Sequence, residues 1–384
     1  MVGYSFMGRT HSQAWRTVNA FFDLARAPTM VALAGRDRAA ATTAARRLGW
    51  NVALTDWRAL IERDDIEIVD ICTPGASHAE IAVAALAAGK HVLCEKPLAN
   101  TVAEAEAMVA AADEAATRGV RAMVGFNYRR VPAVTLARDL VAEGRLGEIR
   151  HVRAQYLQDW IVDPQHPLVW RLAKDEAGSG ALGDIGAHII DTAQFVTGQL
   201  LTGVSALTET FVRRRPVAEL TAVHGDVDVD DAALFIGRLS GGALASFEAT
   251  RFATGRKNSL RIEVNGSAGS IAFDFEAMNE LWFADRTDDA RTAGFRRILV
   301  TEPEHPYAGA WWPAGHLLGY EHTFTHQAAD LLTAITERRD PTPTFADGLQ
   351  IQRVLAAVET SAQGGNGWVP IPTGRLAASM GGLR

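Results

Sequence analysis

The chain has 384 residues, 48% of them hydrophobic and 22% charged, the proportions of an ordinary globular protein, which rules out wholesale disorder. A formal net charge of -7 leaves no basic surplus for neutralising nucleic-acid phosphates, so no nucleic-acid partner is expected. The length suggests about two or three domains.

The basic run Arg213, Arg214 and Arg215 ends at Pro216 and reads as a solvated turn. Cys72 and Cys94 lie in apolar runs, outside any CxxC or metal-ligand spacing, and read as small buried hydrophobes. No long apolar stretch lacks charges and no basic segment leads into an apolar start. No membrane partner is therefore expected, and the expected location is cytoplasmic.

From residue 1 to about residue 128, short apolar runs at 29–34, 66–73, 91–95 and 120–126 alternate with Ala-, Glu- and Arg-rich stretches at 38–48, 79–88 and 102–118. That alternation predicts βα units around a parallel sheet. Asp56 and Thr101 stand where helix N-caps belong, and Gly49, Gly89 and Gly119 where C-terminal caps belong.

Gly3, Ser5 and Gly8, in Gly3-Tyr4-Ser5-Phe6-Met7-Gly8, fall on the positions of a GxGxxG turn, with Ser in place of the second Gly. Such a turn brings backbone N–H groups, here those around Ser5, Phe6 and Met7, close to a pyrophosphate at the start of a helix over about 9–27. Followed by further βα units, it predicts a dinucleotide-binding Rossmann-type sheet. Only Met1 and Val2 precede Gly3, so the central strand is expected to be nearly absent, its neighbours left with unpaired ladder groups, and the natural start to lie upstream. After the second strand, Gly35 holds the position where an acidic side chain would bind the ribose of NAD. Arg36 follows it and suits the 2'-phosphate of NADP. NADP is expected somewhat over NAD, with Asp37 still able to reach the ribose.

The series Thr73-Pro74-Gly75-Ala76-Ser77-His78, His91-Val92-Leu93-Cys94-Glu95-Lys96-Pro97 and Gly125-Phe126-Asn127-Tyr128-Arg129 resembles the Gfo/Idh/MocA family of NAD(P)-dependent sugar and cyclitol oxidoreductases. Tyr156 to Trp160 and Gly178 to Asp184 are most similar to its levoglucosan and inositol dehydrogenase branches. The resemblance spans nearly the whole chain. It implies that Thr73, Pro74, His78, Glu95 and Asn127 shape the nicotinamide and ribose pocket.

Lys96, at the end of a parallel strand and fixed by Pro97, is placed to hydrogen-bond a substrate hydroxyl and stabilise the oxyanion that forms as hydride leaves. Asp184 and His188 share one helical face by their spacing, which fits a structural His as well as a general base with an orienting carboxylate. The resemblance implies the catalytic set Lys96, Asp184 and His188. Gly178, Gly180, Gly183 and Gly186 are expected to let backbone approach a ligand. His322 and His326 have i, i+4 spacing but no third ligand, so they read as structural and no metal is expected.

Beyond Glu148 the text turns to strand-like runs at 150–157, 204–212, 231–239, 242–249, 258–265 and 270–275, then helices at 321–338 and 347–363. The expected fold is α/β plus α+β: a dinucleotide-binding Rossmann domain at 1–128, a substrate and oligomerisation domain at 129–372 on a mostly antiparallel open-faced sheet, and a fraying tail at 373–384. Tyr156, Asp159, Trp160, Trp170 and Arg171 are the candidates for lining a sugar site, by stacking on ring CH surfaces and hydrogen-bonding hydroxyls. The expected activity is hydride transfer between NAD(P) and a secondary hydroxyl of a sugar, glycoside or cyclitol, in a homo-oligomer (dimer or tetramer). The alternatives are a redox-assisted glycosidase that keeps its NAD, and a non-catalytic sugar or nucleotide sensor.

Overall fold

A computed structural model describes residues 1–219 and 221–373. Most of the tail expected at 373–384 therefore lies outside the described residues. The chain divides into two units, Met1–Arg130 with Leu318–Leu349, and Val131–Leu317 with Gln350–Arg384.

The first unit runs α1 (Phe6–Phe21), β1 (Ala32–Ala34), α2 (Arg38–Leu48), β2 (Val52–Leu54), α3 (Trp57–Ile61), β3 (Ile68–Ile71), α4 (His78–Ala87), β4 (His91–Cys94), α5 (Val102–Ala116) and β5 (Ala122–Val124). The strands pair in parallel as β1 with β2 and β3 with β4 and β5, and Val2 bridges β1 to β3. The local signals act as expected. Asp56 caps α3, Thr101 and Glu104 close a capping box on α5, and Gly49, Gly89 and Gly119 take the left-handed conformation after their helices; Asp37, read from the sequence as a possible ribose contact, caps α2.

As expected, the central strand is nearly absent, reduced to bridges at Val2, but the ladder groups that face Met1 to Gly3 are paired. Val2 N–H donates to Asp70 O at 2.7 Å, Gly3 N–H to Ala34 O at 3.0 Å, Ala34 N–H to Met1 O at 2.9 Å, and Cys72 N–H to Val2 O at 2.8 Å. Because β1 and β3 are themselves three and four residues long, this short segment serves the ladder groups that face it.

In the second unit, α6 (Pro132–Ala142) leads to β6 (Ile149–Leu157), α7 (Lys174–Ala177), α8 (Ala187–Thr197), β7 (Leu201–Glu209), β8 (Arg214–Pro216), β9 (His224–Asp226), β10 (Ala232–Leu239), β11 (Leu244–Thr250), β12 (Ser259–Gly266), β13 (Gly269–Asp274), β14 (Glu280–Asp285) and β15 (Arg296–Leu299). The chain then re-enters the first unit with α9 (Tyr320–Glu337); α10 (Phe345–Gln363) and β16 (Val369–Pro370) follow. The main sheet has nine strands in the order β15-β14-β13-β12-β6-β11-β10-β7-β16, antiparallel throughout except where β6 meets β11. Its period of two is clear in β10, where Phe235 faces inward and stacks on its cross-strand partner Phe247 at 4.6 Å, while Leu234 and Ile236 face out. Leu207 and Leu244 join that exposed apolar row.

The Arg213–Arg215 reading needs correction. Arg213 and Arg214 pair with Glu209 and Asp226 at the surface, but Arg215 is fully buried and donates to the carbonyls of Ile161 at 2.6 Å and Asp163 at 2.7 Å. Strand alternation in β8 turns the middle residue inward, which a charge count cannot show. Both cysteines are buried, as expected. Among the described residues no helix is long and apolar enough to cross a membrane.

Arg215→Met keeps the packing volume but leaves the buried Ile161 carbonyl without its donor. It is expected to lower the unfolding free energy by about 2 kcal/mol or more. Urea denaturation followed by circular dichroism measures this, and an unchanged midpoint would show that the carbonyls find other partners.

Candidate active site

The carboxyl ends of the parallel strands in the first unit bring together the residues expected to hold a dinucleotide. Gly3 has φ +93°, and a Cβ there would lie 2.7 Å from Cys72 O; a Cβ on Gly8 would lie 2.4 Å from Gly3 O. The turn thus closes directly on the end of β3 and starts α1 with Ser5 as N-cap. Phe6 is exposed and stacked on Tyr320 at 6.2 Å, and Met7 packs into a neighbouring apolar cluster. Arg36 is exposed after β1, while Asp37 accepts the Ala40 N–H at 2.7 Å.

At the next strand ends, Thr73 Oγ1 accepts from Ser77, and Pro74 caps the short helical turn that follows. His78 is buried. Its Nε2 lies 2.9 Å from Thr73 O and its Nδ1 3.0 Å from Pro97 O, so the ring sits between the end of β3 and the Lys96-Pro97 turn and, when neutral, donates to one of the two carbonyls. Burial holds its imidazole below the ordinary value. Lys96 itself is half-buried after β4 and precedes a cis Pro97. Asn127 is buried and donates to Thr323 of α9 at 2.9 Å.

Behind this surface lies a charged network that sequence reasoning missed. His11 of α1 is buried with Nδ1 2.9 Å from Asp70 Oδ1 and Nε2 2.9 Å from Glu95 Oε1. Both ring nitrogens face carboxylates, so both carry protons and His11 is an imidazolium. Burial alone would lower its pKa, but the charge and hydrogen bond of Asp70 override that and hold it well above the ordinary value. Trp15 Nε1 also donates to Asp70, at 2.7 Å. The one visible signal was Asp70 itself, a charge inside the apolar run of β3. His11, Asp70 and Cys72 offer potential ligand atoms within 4.8 Å of one another. Burial and the Asp70 charge push the Cys72 thiol up to about 12.

His322 and His326 are placed structurally. His322 Nδ1 accepts the Gly319 N–H at 3.0 Å, and His326 Nδ1 donates to Arg130 O at 2.9 Å, burial lowering its pKa to about 3.

The second unit holds the other chemical residues. Asp184 stands in a π-helical turn, Leu182–Gly186, that runs into α8, so its i, i+4 spacing to His188 crosses a wide turn and is not that of a regular α-helix. Asp184 Oδ2 lies 3.8 Å from Arg171 Nε and 3.8 Å from Nη1 of the fully buried Arg251. Arg171 stacks over the partly exposed Trp170 at 4.3 Å. His188 is buried with its ring 6.0 Å from that of Tyr156. Tyr156 and Gln158 both donate to Asn258 Oδ1, at 2.6 and 2.8 Å, and Trp160 donates to Gln158 at 3.0 Å. Of the five sugar-site candidates, Tyr156, Trp160, Trp170 and Arg171 are thus linked around Asp184 and His188. Asp159 bonds instead to Gly255 N–H at 2.9 Å and Lys257 at 2.8 Å, and Lys257 holds its carboxyl below the usual range.

Gly180, before Asp184, makes room for protein rather than ligand. A Cβ on Gly180 would lie 1.7 Å from Asp230 O, and the Asp230 carboxylate accepts the N–H groups of Gly180 at 2.7 Å and Leu182 at 2.8 Å. Asp230 and Arg251, remote in sequence, carried no motif by which they could be found.

Comparison with known proteins places this geometry. Residues 1–126 match the oxidoreductase family with an NAD-binding Rossmann fold, and residues 134–272 match the GFO/IDH/MocA C-terminal domain. The levoglucosan dehydrogenase of Pseudarthrobacter phenanthrenivorans is 42% identical, over 97% of this chain and 97% of its own length. A crystal structure of an oxidoreductase domain protein from Kribbella flavida is 66% identical, with a TM-score of 0.94, covering 97% of this chain and 98% of that one. A levoglucosan dehydrogenase in complex with NADH and levoglucosan is 42% identical with a TM-score of 0.92, over 97% of this chain and 98% of that one.

Because the folded state holds the His11 proton more tightly than the unfolded chain, that contribution to stability is complete below about pH 6.5 and is lost as pH rises through the raised folded pKa. The stability difference between the parent and His11→Gln is expected to shrink by up to about 1.4 kcal/mol per pH unit above about pH 6.5. Urea titrations from mildly acid to alkaline pH measure it; a flat difference would show that His11 is not an imidazolium.

Proposed function

The chain belongs to the Gfo/Idh/MocA oxidoreductases, and from that premise we propose that it oxidises a secondary hydroxyl of a sugar, glycoside or cyclitol, levoglucosan among them, with a nicotinamide cofactor. In balanced form, the alcohol and NAD give the ketone, NADH and a proton. NAD, when bound, supplies the carbon that accepts the hydride.

The observation that carries this reading is the coincidence, at one end of a parallel sheet, of the Gly3 to Gly8 turn and the Glu95-Lys96-Pro97 strand end. The turn fits a dinucleotide: glycine permits its tight closure, and the first N–H groups of α1 are presented as a pyrophosphate requires. Ser5, Phe6, Met7, Thr73, Pro74, Arg36 and Asn127 are proposed to complete that cradle, with His78 and Glu95 holding the strand ends from behind.

In the oxidative direction, His188 takes the hydroxyl proton and the Lys96 ammonium stabilises the negative charge growing on that oxygen. Asp184 orients the substrate and the proton acceptor, itself held between Arg171 and Arg251. Arg171, Trp170, Trp160 and Tyr156 are proposed to bind the sugar, the aromatic faces against ring CH groups and the guanidinium against hydroxyls.

NAD is the working cofactor of this reading, and the exposed Arg36 supports use of NADP as well. Asp37 spends one carboxylate oxygen on the cap of α2, which weakens its claim on a ribose. The outward row Leu207, Leu234, Ile236 and Leu244 supports a homo-oligomer.

Purified protein mixed with levoglucosan, inositols or glucose and either cofactor should accumulate reduced nicotinamide, read by its absorbance. Aglycone release with no net reduction would turn the reading to the glycosidase. Lys96→Ala is expected to lower kcat about a hundredfold or more while NADH affinity changes less than about threefold, since the interaction strengthens only in the transition state. Equal losses in both would make Lys96 a binding residue. Arg36→Ala should reduce kcat/KM about tenfold with NADP and less with NAD; the reverse order would remove Arg36 from the cofactor's phosphate.

A further inference from the structure

We propose that His11, clamped as an imidazolium between Asp70 and Glu95, is a positioning residue for Lys96: it fixes the Glu95 carboxylate, and that carboxylate in turn fixes the backbone from which Lys96 emerges. The proposal rests on the reading of Lys96 as the residue that stabilises the oxyanion.

The argument starts from the two oxygens of Glu95. Oε1 accepts from His11 Nε2 at 2.9 Å, and Oε2 accepts the backbone N–H of Lys96 at 3.3 Å. Glu95 is buried and follows the last residue of β4, so its side chain turns back under the sheet end. The seat is tight: a Cβ on Gly125, after β5, would lie 2.7 Å from Glu95 Oε1. Glycine at 125 is therefore what lets the carboxylate occupy the space between neighbouring strand ends.

His11 cannot swing away from this arrangement. Asp70 takes its other ring nitrogen through both oxygens, at 2.9 and 3.1 Å, and Trp15 and Cys72 donate to the same carboxylate. The ring also lies 5.3 Å from Phe324 of α9. A single proton-rich ring thus joins three elements that are distant in sequence: the helix that follows the glycine turn, the strand before Thr73, and the strand before Lys96. Because α1 carries the N–H groups offered to the cofactor's phosphates, the clamp also sets the separation between that helix start and Lys96. A buried carboxylate with one bond removed would turn to find another donor, and the Lys96 backbone would turn with it.

A merely structural role and a positioning role differ in how His11 and Lys96 combine. The test is a double-mutant cycle with His11→Gln and Lys96→Ala, read as single-turnover oxidation of levoglucosan by NAD, alongside thermal midpoints and NADH affinity. His11→Gln is expected to lower kcat about tenfold or more in the parent, with KM and NADH affinity moved less than about threefold, and to lower it no further once Lys96 is Ala. The same factor in both backgrounds would overturn the proposal. If Lys96→Ala alone left kcat intact, the reading of Lys96 would fall and the clamp's task with it, a result distinct from additivity.

Glu95 provides a second arm should His11→Gln fold poorly. In Glu95→Gln the amide oxygen still accepts the Lys96 N–H, and the amide NH2 donates to a His11 that has given up one proton, so each bond of the seat survives. Glu95→Gln is expected to recover about tenfold or more of the kcat that Glu95→Ala loses. Equal loss in the two variants would show that the seat does not act through these bonds.

Discussion

An ionised group taken out of water without a partner costs several kcal/mol, a large share of the roughly 5–15 kcal/mol by which a domain is stable. That constraint governs where this chain's chemistry sits. Arg130, Arg215 and Arg251 are among the largest fully buried side chains, and each is held by carbonyls or a carboxylate brought from a distant segment. Arg130 pairs with Asp330 at 2.9 Å and donates to the Thr342 carbonyl, Arg215 answers the loop at Ile161 and Asp163, and Arg251 faces Asp184 and the Asp230 and Arg171 carbonyls. His11 belongs to the same class. Satisfying these charges pins loops and strand ends that hydrophobic packing alone would leave free to shift.

Much of the architecture was legible because it is written locally. The period of α2, the caps Asp56 and Thr101, and the left-handed glycines each involve residues within one or two turns of one another. The alternation in β10 and the Ser240-Gly241-Gly242 turn announce an antiparallel hairpin with β11 in the same way. What escaped is short or polar. β2 and α3 span three and five residues, too few to show a period, and β8 and β9 carry charges on strands whose apolar content is low. The central strand is as short as expected, a bridge at Val2, beside neighbours of three and four residues.

The candidate site divides along the same line. Lys96, Asp184 and His188 are named as candidates by the family resemblance of the motifs they lie in, not by spacing alone. Their supports are not so named. His11 meets Asp70 across 59 residues and Glu95 across 84, and Asp230 meets Gly180 across 50. Nothing in a sequence tells which distant carboxylate will face a given imidazole or amide. Gly180 illustrates the error this produces. Read in isolation it promises open backbone for a ligand; in the fold it is small because the Asp230 backbone needs its place.

The π-helical turn at Asp184 follows from that support. Hydrogen bonding from i to i+5 leaves poorer geometry than an α-helix, so such a turn persists only where something outside it compensates. Asp230 does so by accepting two N–H groups at the entry through its carboxylate and that of Ala181, at 2.9 Å, through its main-chain carbonyl. The wide turn then presents the Asp184 carboxylate to Arg171 and Arg251 while α8 carries His188 into the buried layer beside Tyr156. In a regular α-helix the two side chains would stand nearly one above the other, exposed or buried together. Here the carboxylate remains partly solvent-accessible and the imidazole is shielded, an arrangement consistent with the roles proposed for them above.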